Sequence, residues 1–286
     1  MRNGGALLRE VLSALRTQTV EHELVVADSG STDGSAELAR EFGAVVVPVE
    51  RFSHGGTRNL LMQRSGGAHV AFLTQDAVPA DASWLERLLE GFSLADDVAL
   101  VYGPSRPRPD APVPVTRELS GWFALLAARD LVDRGVDARG PSPETFFSSA
   151  NCAVLRSAWE RVPFREVPYA EDQALALDML HAAYANAFAP RAAVVHSHAY
   201  PPLAQFRRTF DEWRALRDIH GFVQPLAPVS TVLHIQSQVR ADVRAGGGPV
   251  RSARHWTVRA LGAVLGSRAD ALPGVVRRWC SLERRG

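Results

Sequence analysis

The first hundred residues alternate short apolar runs with helical segments, and this alternation limits the fold more than any other feature of the chain. Leu24 to Asp28, Ala44 to Val49, His69 to Thr74 and Val98 to Val101 are runs of four to six residues rich in Val, Leu and Phe. Runs of that length bounded by turn residues read as buried strands. Between them the spacing is helical. Leu7, Leu8, Val11, Leu12 and Leu15 fall on one face, a helix follows the turn Ser29 to Gly34 to about Phe42, another begins near Thr57, and a third fills about Ala82 to Phe92. Strands separated by short helices pair in parallel through right-handed crossovers, so an α/β fold is expected.

The alternation breaks at Pro104 to Pro114, a proline-rich stretch without apolar period that reads as a functional lid. A strand through Val154 and Leu155, a helix from about Glu171 to Tyr184 and a strand at Ala192 to Val195 complete the α/β part. Beyond Pro202 the pattern is helical, with Phe206, Phe210, Trp213, Leu216 and Ile219 on one stripe. The expected division is therefore residues 1–200 and a helical C-terminal extension, residues 201–286.

Composition narrows the chemistry. A net charge of +1 gives no general pull toward nucleic acid. All 32 basic residues are arginine, so no lysine can form a Schiff base, serve a phosphate loop or act as a base. Cys152 and Cys280 stand far apart and away from any metal-spaced partner, which fits a reducing, cytoplasmic setting. There is no signal peptide and no apolar run of about 18 residues. From Pro201 onward 14 arginines face six acids, a bias that suits a solvated helical face or an anionic lipid surface.

Five groups of residues can carry chemistry. Asp28 ends a strand and is followed by the small polar turn Ser29 to Gly34, which can meet a nucleobase or ribose; Ser31 or Asp33 can equally cap the next helix. No G-x-G-x-x-G accompanies it. Asp76 closes the His69 to Thr74 run, where a carboxylate can share Mg²⁺ or Mn²⁺ with substrate phosphates, or can serve the turn before Val78-Pro79. Neighbours on a helix point about 100° apart, so of Glu171 and Asp172 one would serve chemistry and the other a structural bond; both also complement a helix dipole. His196 and His198 flank Ser197 at a strand end and share a face, as in a metal site of a transferase or hydrolase. In His54-Gly-Gly-Thr-Arg-Asn59 two glycines precede a helix start, which suits an anionic group or sugar hydroxyls beside Arg58, or simple capping by Thr57.

In this order, Asp28-Ser-Gly-Ser-Thr-Asp-Gly34, Arg58-Asn59, the strand to Thr74-Gln75-Asp76, Ser149-Ala150-Asn151, Glu171-Asp172 and the two histidines make the chain, over about residues 3 to 200, resemble the family 2 inverting glycosyltransferases. Phe52-Ser-His-Gly-Gly-Thr-Arg-Asn59, Phe72-Leu-Thr-Gln-Asp-Ala77 and Val195-His-Ser-His198 are most similar to the rhamnosyltransferase-like branch. The resemblance implies a nucleotide-diphospho-sugar transferase fold of the GT-A type, a mostly parallel mixed sheet flanked by helices. It implies transfer of a sugar, L-rhamnose from a deoxythymidine diphosphate donor for this branch, to a hydroxyl of a glycan or lipid-linked acceptor. A cytoplasmic enzyme, with the inner membrane face as an optional peripheral contact, follows.

Carried over by position, Asp172 would be the catalytic base. Asn3, Asp28, Ser29, Gly30, Ser31, Arg58, Asn59, Thr74, Gln75 and Asp76 would meet the donor, with Asp28 on the base. Ser149, Ala150, Asn151 and Glu171 would lie toward the acceptor, and Asp76 with His196 or His198 would hold Mg²⁺ or Mn²⁺. Two departures stand out. Thr74 occupies the place of the first carboxylate of the family's metal motif. The family's first apolar strand, which lies between those ending at Asp28 and Asp76, has no counterpart before Met1; a misassigned start or a shortened chain is expected, with two central strands lacking a shared partner. Three other readings compete. A sugar-nucleotidyltransferase would need the missing lysine. A metal hydrolase would need further strand-end ligands. A catalytically impaired relative that only binds a sugar nucleotide fits the missing strand but not the retained Asp76, Asp172 and histidines.

Overall fold

The computed structural model describes residues 1–135, 142 and 145–283. Helix α1 (Gly5–Arg16) buries Leu8, Val11, Leu12 and Leu15, the face its spacing marks out. Strand β1 (Val25–Asp28) pairs in parallel with β2 (Val45–Pro48) through α2 (Ser35–Glu41). Helix α3 (His54–Arg64) leads into β3 (His69–Leu73) and the two-residue β4 (Val78–Pro79). Then follow α4 (Trp84–Glu90), β5 (Val98–Tyr102), β6 (Ser105–Arg106), α5 (Val113–Ala127) and β7 (Val132–Asp133). The remainder of the α/β part is β8 (Asn151–Leu155), α6 (Arg156–Trp159), α7 (Glu171–His181), β9 (Ala185–Phe188) and β10 (Val194–Val195). Helices α8 (Pro202–His220), α9 (Pro228–Arg244), α10 (Pro249–Gly266) and α11 (Gly274–Cys280) form the C-terminal part.

The main sheet has the order β3-β8-β5-β9-β7 and is mixed. β5 and β9 pair in parallel, while β8 inserts antiparallel between β3 and β5. Every residue of β5 is buried, as a strand covered on both faces requires. One face packs Leu100, Tyr102, Phe123, Phe147, Leu175 and Phe188 together; the other packs Trp84, Leu85, Leu88, Val98 and Val101. β9 escapes sequence reading because Ala-Asn-Ala-Phe lacks the β-branched residues that mark a strand.

Three expectations change. The segment Pro104 to Pro114 is not a free lid: Ser105–Arg106 pairs in parallel with β10, and α5 begins at Val113. α3 begins at His54 rather than near Thr57, with Ser53 as its cap, accepting from the Gly56 amide at 3.2 Å. The paired glycines thus lie inside the first turn, and a Cβ on Gly55 would stand 2.0 Å from the Arg165 carbonyl oxygen. They permit close helix packing rather than presenting amides to an anion. The strand expected from Ala192 is also shorter, covering Val194 and Val195 alone.

β1 and β3 do not pair. β1 belongs to a separate two-stranded sheet and β3 ends the main sheet, so each turns an edge toward the other. Between them lies a cavity of about 1000 Å³ whose lining includes Val25, Val26, Ala27, Val70, Phe72 and Thr74, with Leu8, Val11 and Leu12 of α1 beneath. At its mouth the Met1 ammonium donates to the Ala27 carbonyl, and the Ser29 amide donates to the Met1 carbonyl at 3.0 Å. That reciprocal pattern is one rung of a parallel ladder. The shared partner expected between the strands ending at Asp28 and Asp76 is therefore represented among the described residues by Met1 alone.

The C-terminal helices dock on the α/β part through α5. His255 and Arg259 of α10 meet Glu118 at 3.0 and 2.6 Å. On the expected stripe of α8, Phe210 and Leu216 are buried, whereas Trp213 and Ile219 are half-buried. No helix among the described residues is long and apolar enough to cross a membrane. The final arginines of the C-terminal bias, Arg284 and Arg285, lie outside the described residues.

Candidate active site

A small sheet brings the first cluster together. β10 pairs antiparallel with β4, Val195 opposite Val78 and Val194 opposite Pro79. Asp76 precedes β4 and His196 follows β10, so the pairing carries both to the same end. His196 Nε2 lies 3.5 Å from Asp76 Oδ1, and His198 Nε2 lies 3.5 Å from Asp76 Oδ2. One ligand atom from each of the three residues falls within 4.8 Å of the others. Burial opposes ionisation of Asp76, and His196, then Thr74 and His198, outweigh it, holding the carboxyl well below the ordinary carboxylate range. Burial, then His196, lowers His198 and favours the neutral imidazole that can ligate a metal. Arg108, from the stretch read as a lid, braces the cluster: its guanidinium donates to the Asp76 carbonyl at 2.7 Å and its amide to Ser197 Oγ at 3.0 Å.

The second cluster stands at the start of α7. Ala170, just before it, holds a left-handed φ of 59°, a conformation that costs a non-glycine residue about 1–2 kcal/mol. Beyond this bend Glu171 is 5% exposed and its carboxylate lies 2.5 Å from the Arg58 guanidinium. Asp172 makes no such pair among the described residues. Its Oδ2 accepts from the Ser149 amide at 3.0 Å and from Ser149 Oγ at 3.2 Å, and its Oδ1 from the Gln173 amide at 2.9 Å. Burial, then the charge of Glu171, pushes Asp172 up against the opposing pull of Arg58. A carboxyl shifted by burial and one like charge is the usual state of a group that handles protons.

The third cluster is a latch at the N-terminus. The Asn3 amide donates to Ser31 Oγ at 3.0 Å, the Thr32 amide to Asn3 Oδ1 at 2.8 Å, and the Gly5 amide to Asp33 Oδ2 at 3.2 Å. Asp28 accepts from the Ser31 hydroxyl at 2.6 Å and shapes the turn through Ser29 and Gly30, the latter at φ 85°. Across the cavity mouth Gln75 exchanges bonds with the backbone of Arg2. Met1, Arg2, Ser29 and Gln75 thus line the cavity together with Thr74 and Ser149, while Asn3 and Asp28 hold the adjoining turn in shape.

Two expected ligand contacts belong instead to the scaffold. Asn59 accepts from Trp159 Nε1 and the Phe164 amide and donates to the Phe164 carbonyl. Asn151, 1% exposed, accepts from Trp84 Nε1 and donates to the carbonyls of Pro104 and Ala192. Asn151 is saturated by buried partners and has no capacity left for a sugar, whereas Asn59 spends its carbonyl oxygen and one N–H on the scaffold and keeps a single N–H. Glu171 is likewise enclosed by Arg58 rather than turned toward an acceptor. Ala150 is half-buried beside Ser149.

Sequence reading passed over Tyr169, Tyr200 and Arg208. Tyr200 stacks on His198 at 5.0 Å, and the Arg208 guanidinium lies over the Tyr169 ring at 4.9 Å. Arg208 forms no ion pair within 4.0 Å of a carboxylate among the described residues. Its charge reaches His198 and His54, adding to the burial that lowers both. No motif carries this signal, because Arg208 comes from the C-terminal extension and meets the site only through tertiary packing.

Residues 1–160 match the family described as Glycosyl transferase family 2. The chain belongs to glycosyl transferase family 2. This family 2 glycosyltransferase is 35% identical over 218 residues to the O-antigen chain rhamnosyltransferase RfbN of Salmonella typhimurium, covering 73% of this chain and 68% of that protein. Its fold is similar to that of the mannosyltransferase PcManGT from Pyrobaculum calidifontis, solved with GDP-Man and Mn²⁺: TM-score 0.61, 19% identity, 99% of this chain and 81% of that one. It is also similar to glucosyl-3-phosphoglycerate synthase from Mycobacterium tuberculosis, solved with Mn²⁺, UDP-glucose and phosphoglyceric acid: TM-score 0.54, 19% identity, 78% of each chain. The α/β architecture with its mixed sheet is thus the GT-A type of fold, and the family 2 glycosyltransferase is an enzyme of sugar transfer.

Proposed function

We propose that this glycosyltransferase moves L-rhamnose from a deoxythymidine diphosphate donor to a hydroxyl of a glycan or lipid-linked acceptor, inverting the anomeric centre. The likeness to the Salmonella rhamnosyltransferase supports the sugar. The observation that carries the mechanism is the division of labour at α7: Arg58 neutralises Glu171, and Asp172 is left without a cationic partner among the described residues.

Oδ2 of Asp172 already accepts two hydrogen bonds, whereas Oδ1 accepts one. Oδ1 therefore has the lone pair that takes the acceptor's hydroxyl proton. As that proton leaves, the acceptor oxygen bonds to the anomeric carbon from the face opposite the diphosphate, and the bond to the diphosphate oxygen breaks. The raised affinity of Asp172 for a proton strengthens it as a base. Arg208 and the Gly30 backbone amide would meet the donor's negative charge and its nucleoside, the Ser29 and Ser31 amides being taken by the Met1 carbonyl and Asp28.

Asp76, His196 and His198 fit a divalent ion. Three donors at these separations can converge on one ion and leave positions open for phosphate oxygens, whose charge a bound Mn²⁺ or Mg²⁺ would neutralise. Two imidazole nitrogens favour Mn²⁺ over the harder Mg²⁺. Thr74 adds no carboxylate, so this site depends on the substrate's phosphates.

A second reading, a chain that binds the donor without turning it over, is favoured by the unpaired edges of β1 and β3 on either side of the cavity. One experiment decides between them: release of nucleoside diphosphate from a panel of sugar nucleotides, with Mn²⁺ and an acceptor glycan. Turnover of the deoxythymidine diphosphate rhamnose donor is expected. Binding without release favours the second reading, and turnover of other donors alone overturns the rhamnose assignment.

A further inference from the structure

Helix α9 is built inside out. The one residue it buries fully is an aspartate, Asp242, which bonds inward to Arg117 and to Trp256 Nε1. Four of its apolar residues face solvent, Val229 at 73% exposed, Val232 52%, Leu233 59% and Val243 45%, while Ile235 and Val239 are half-buried. At 100° per residue, these four and the exposed Arg240 and Arg244 fall within an arc of about 120°. A helix this long presents a stripe of about 25 Å.

The charge on this stripe has one sign. From Pro228 to Gly266 the chain has five arginines and a single acid, the buried Asp242. Arg259 turns inward to Glu118, while Arg240, Arg244, Arg251 and Arg254 are exposed at the turn joining α9 to α10. None of the four pairs with a carboxylate among the described residues. Exposed Val243 and Val250 stand among them. Apolar side chains flanked by unpaired arginines match a surface that is anionic at its headgroups and apolar beneath. A second copy of the chain fits poorly, because a two-fold contact through this stripe sets arginines against arginines.

We propose that the α9 stripe and the α9–α10 turn dock this protein on the surface of an anionic lipid bilayer, with Val229, Val232 and Leu233 entering the acyl boundary and the arginines meeting lipid phosphates. The docking surface does not depend on the donor or acceptor assigned above. It is tested by co-sedimentation of the full chain with vesicles of phosphatidylglycerol and phosphatidylethanolamine, against vesicles of phosphatidylcholine alone. Binding to the anionic vesicles should exceed binding to the neutral ones at least about tenfold and fall as salt rises. Val232→Asp/Leu233→Asp and Arg240→Glu/Arg244→Glu should each weaken binding at least about tenfold, the arginines counting about fivefold apiece. Both should keep the thermal midpoint and the donor affinity of the unaltered protein. Equal sedimentation with both vesicle types overturns the proposal. So does a dimer in solution that Val232→Asp/Leu233→Asp dissociates while vesicle binding persists. A variant that misfolds leaves the lipid-composition and salt comparisons on the unaltered chain to decide.

Discussion

The guanidinium of Arg58 lies 2.5 Å from the carboxylate of Glu171, and this contact determines which of two adjacent acids remains available to a substrate. Both side chains are largely buried, so the pair is held in place by mutual charge where water cannot replace either partner. Removing one member leaves the other ionised and unpaired. Arg58→Met should therefore lower unfolding stability by about 3–5 kcal/mol. Urea denaturation measures this; a loss within a few tenths of a kcal/mol would mean that the pair is better solvated than its burial implies.

The same pair shapes the pH response of its neighbour. Burial and Glu171 raise the Asp172 carboxyl, so between the ordinary carboxylate value and the raised one the folded chain holds a proton that the unfolded chain has released. In that window stability falls as pH rises. Melting curves of the intact protein should show this slope, and Asp172→Asn should flatten it. The acid limb of kcat/KM should also lie above the ordinary aspartate range. A limb within that range would show that Asp172 is not the group that titrates.

Metal binding should require the three residues joined by β4 and β10. His196→Ala should weaken Mn²⁺ binding in the presence of a nucleoside diphosphate by at least about tenfold, read by titration calorimetry. Without the diphosphate, binding by the intact chain should be weak, since one carboxylate and two imidazoles are the donors gathered there among the described residues. Tight binding that survives His196→Ala and His198→Ala together would place the ion elsewhere.

The cavity between β1 and β3 makes a stability prediction of its own. An extended segment of about five Val/Ile-rich residues placed before Met1 would continue the rung that Met1 already forms with Ala27 and Ser29, and would give both strand edges a partner. Such a chain should melt several degrees higher, whereas a matched segment interrupted by proline should not. Equal midpoints for the two would show that the cavity does not take a strand.

Much of the site was legible because its residues sit beside the ends of short strands and helices, where motif and position coincide. Asp76, His196 and His198 are an example: two local patterns, about 120 residues apart, converge because Val78-Pro79 pairs with Val194-Val195. What was illegible depends on packing. Nothing in Asn59 or Asn151 signals that a tryptophan N–H occupies each amide oxygen. The glycines before Arg58 resemble an anion cradle until the Arg165 carbonyl is found where a Cβ would be. β9 carries no strand signal because two of its four residues are alanine, and Arg208 carries none because it reaches the site from a helix that begins after the last motif. The mixed sheet was anticipated from resemblance, but the insertion of β8 between β3 and β5 follows only from burial on both faces.

The most direct measurement is steady-state sugar transfer by Asp172→Asn beside the intact protein, in Mn²⁺, with donor affinity measured in parallel. Asn keeps the shape and removes the base, so turnover should fall about 10²–10⁴-fold while donor affinity stays unchanged. Near-normal turnover by a folded Asp172→Asn protein would contradict the account.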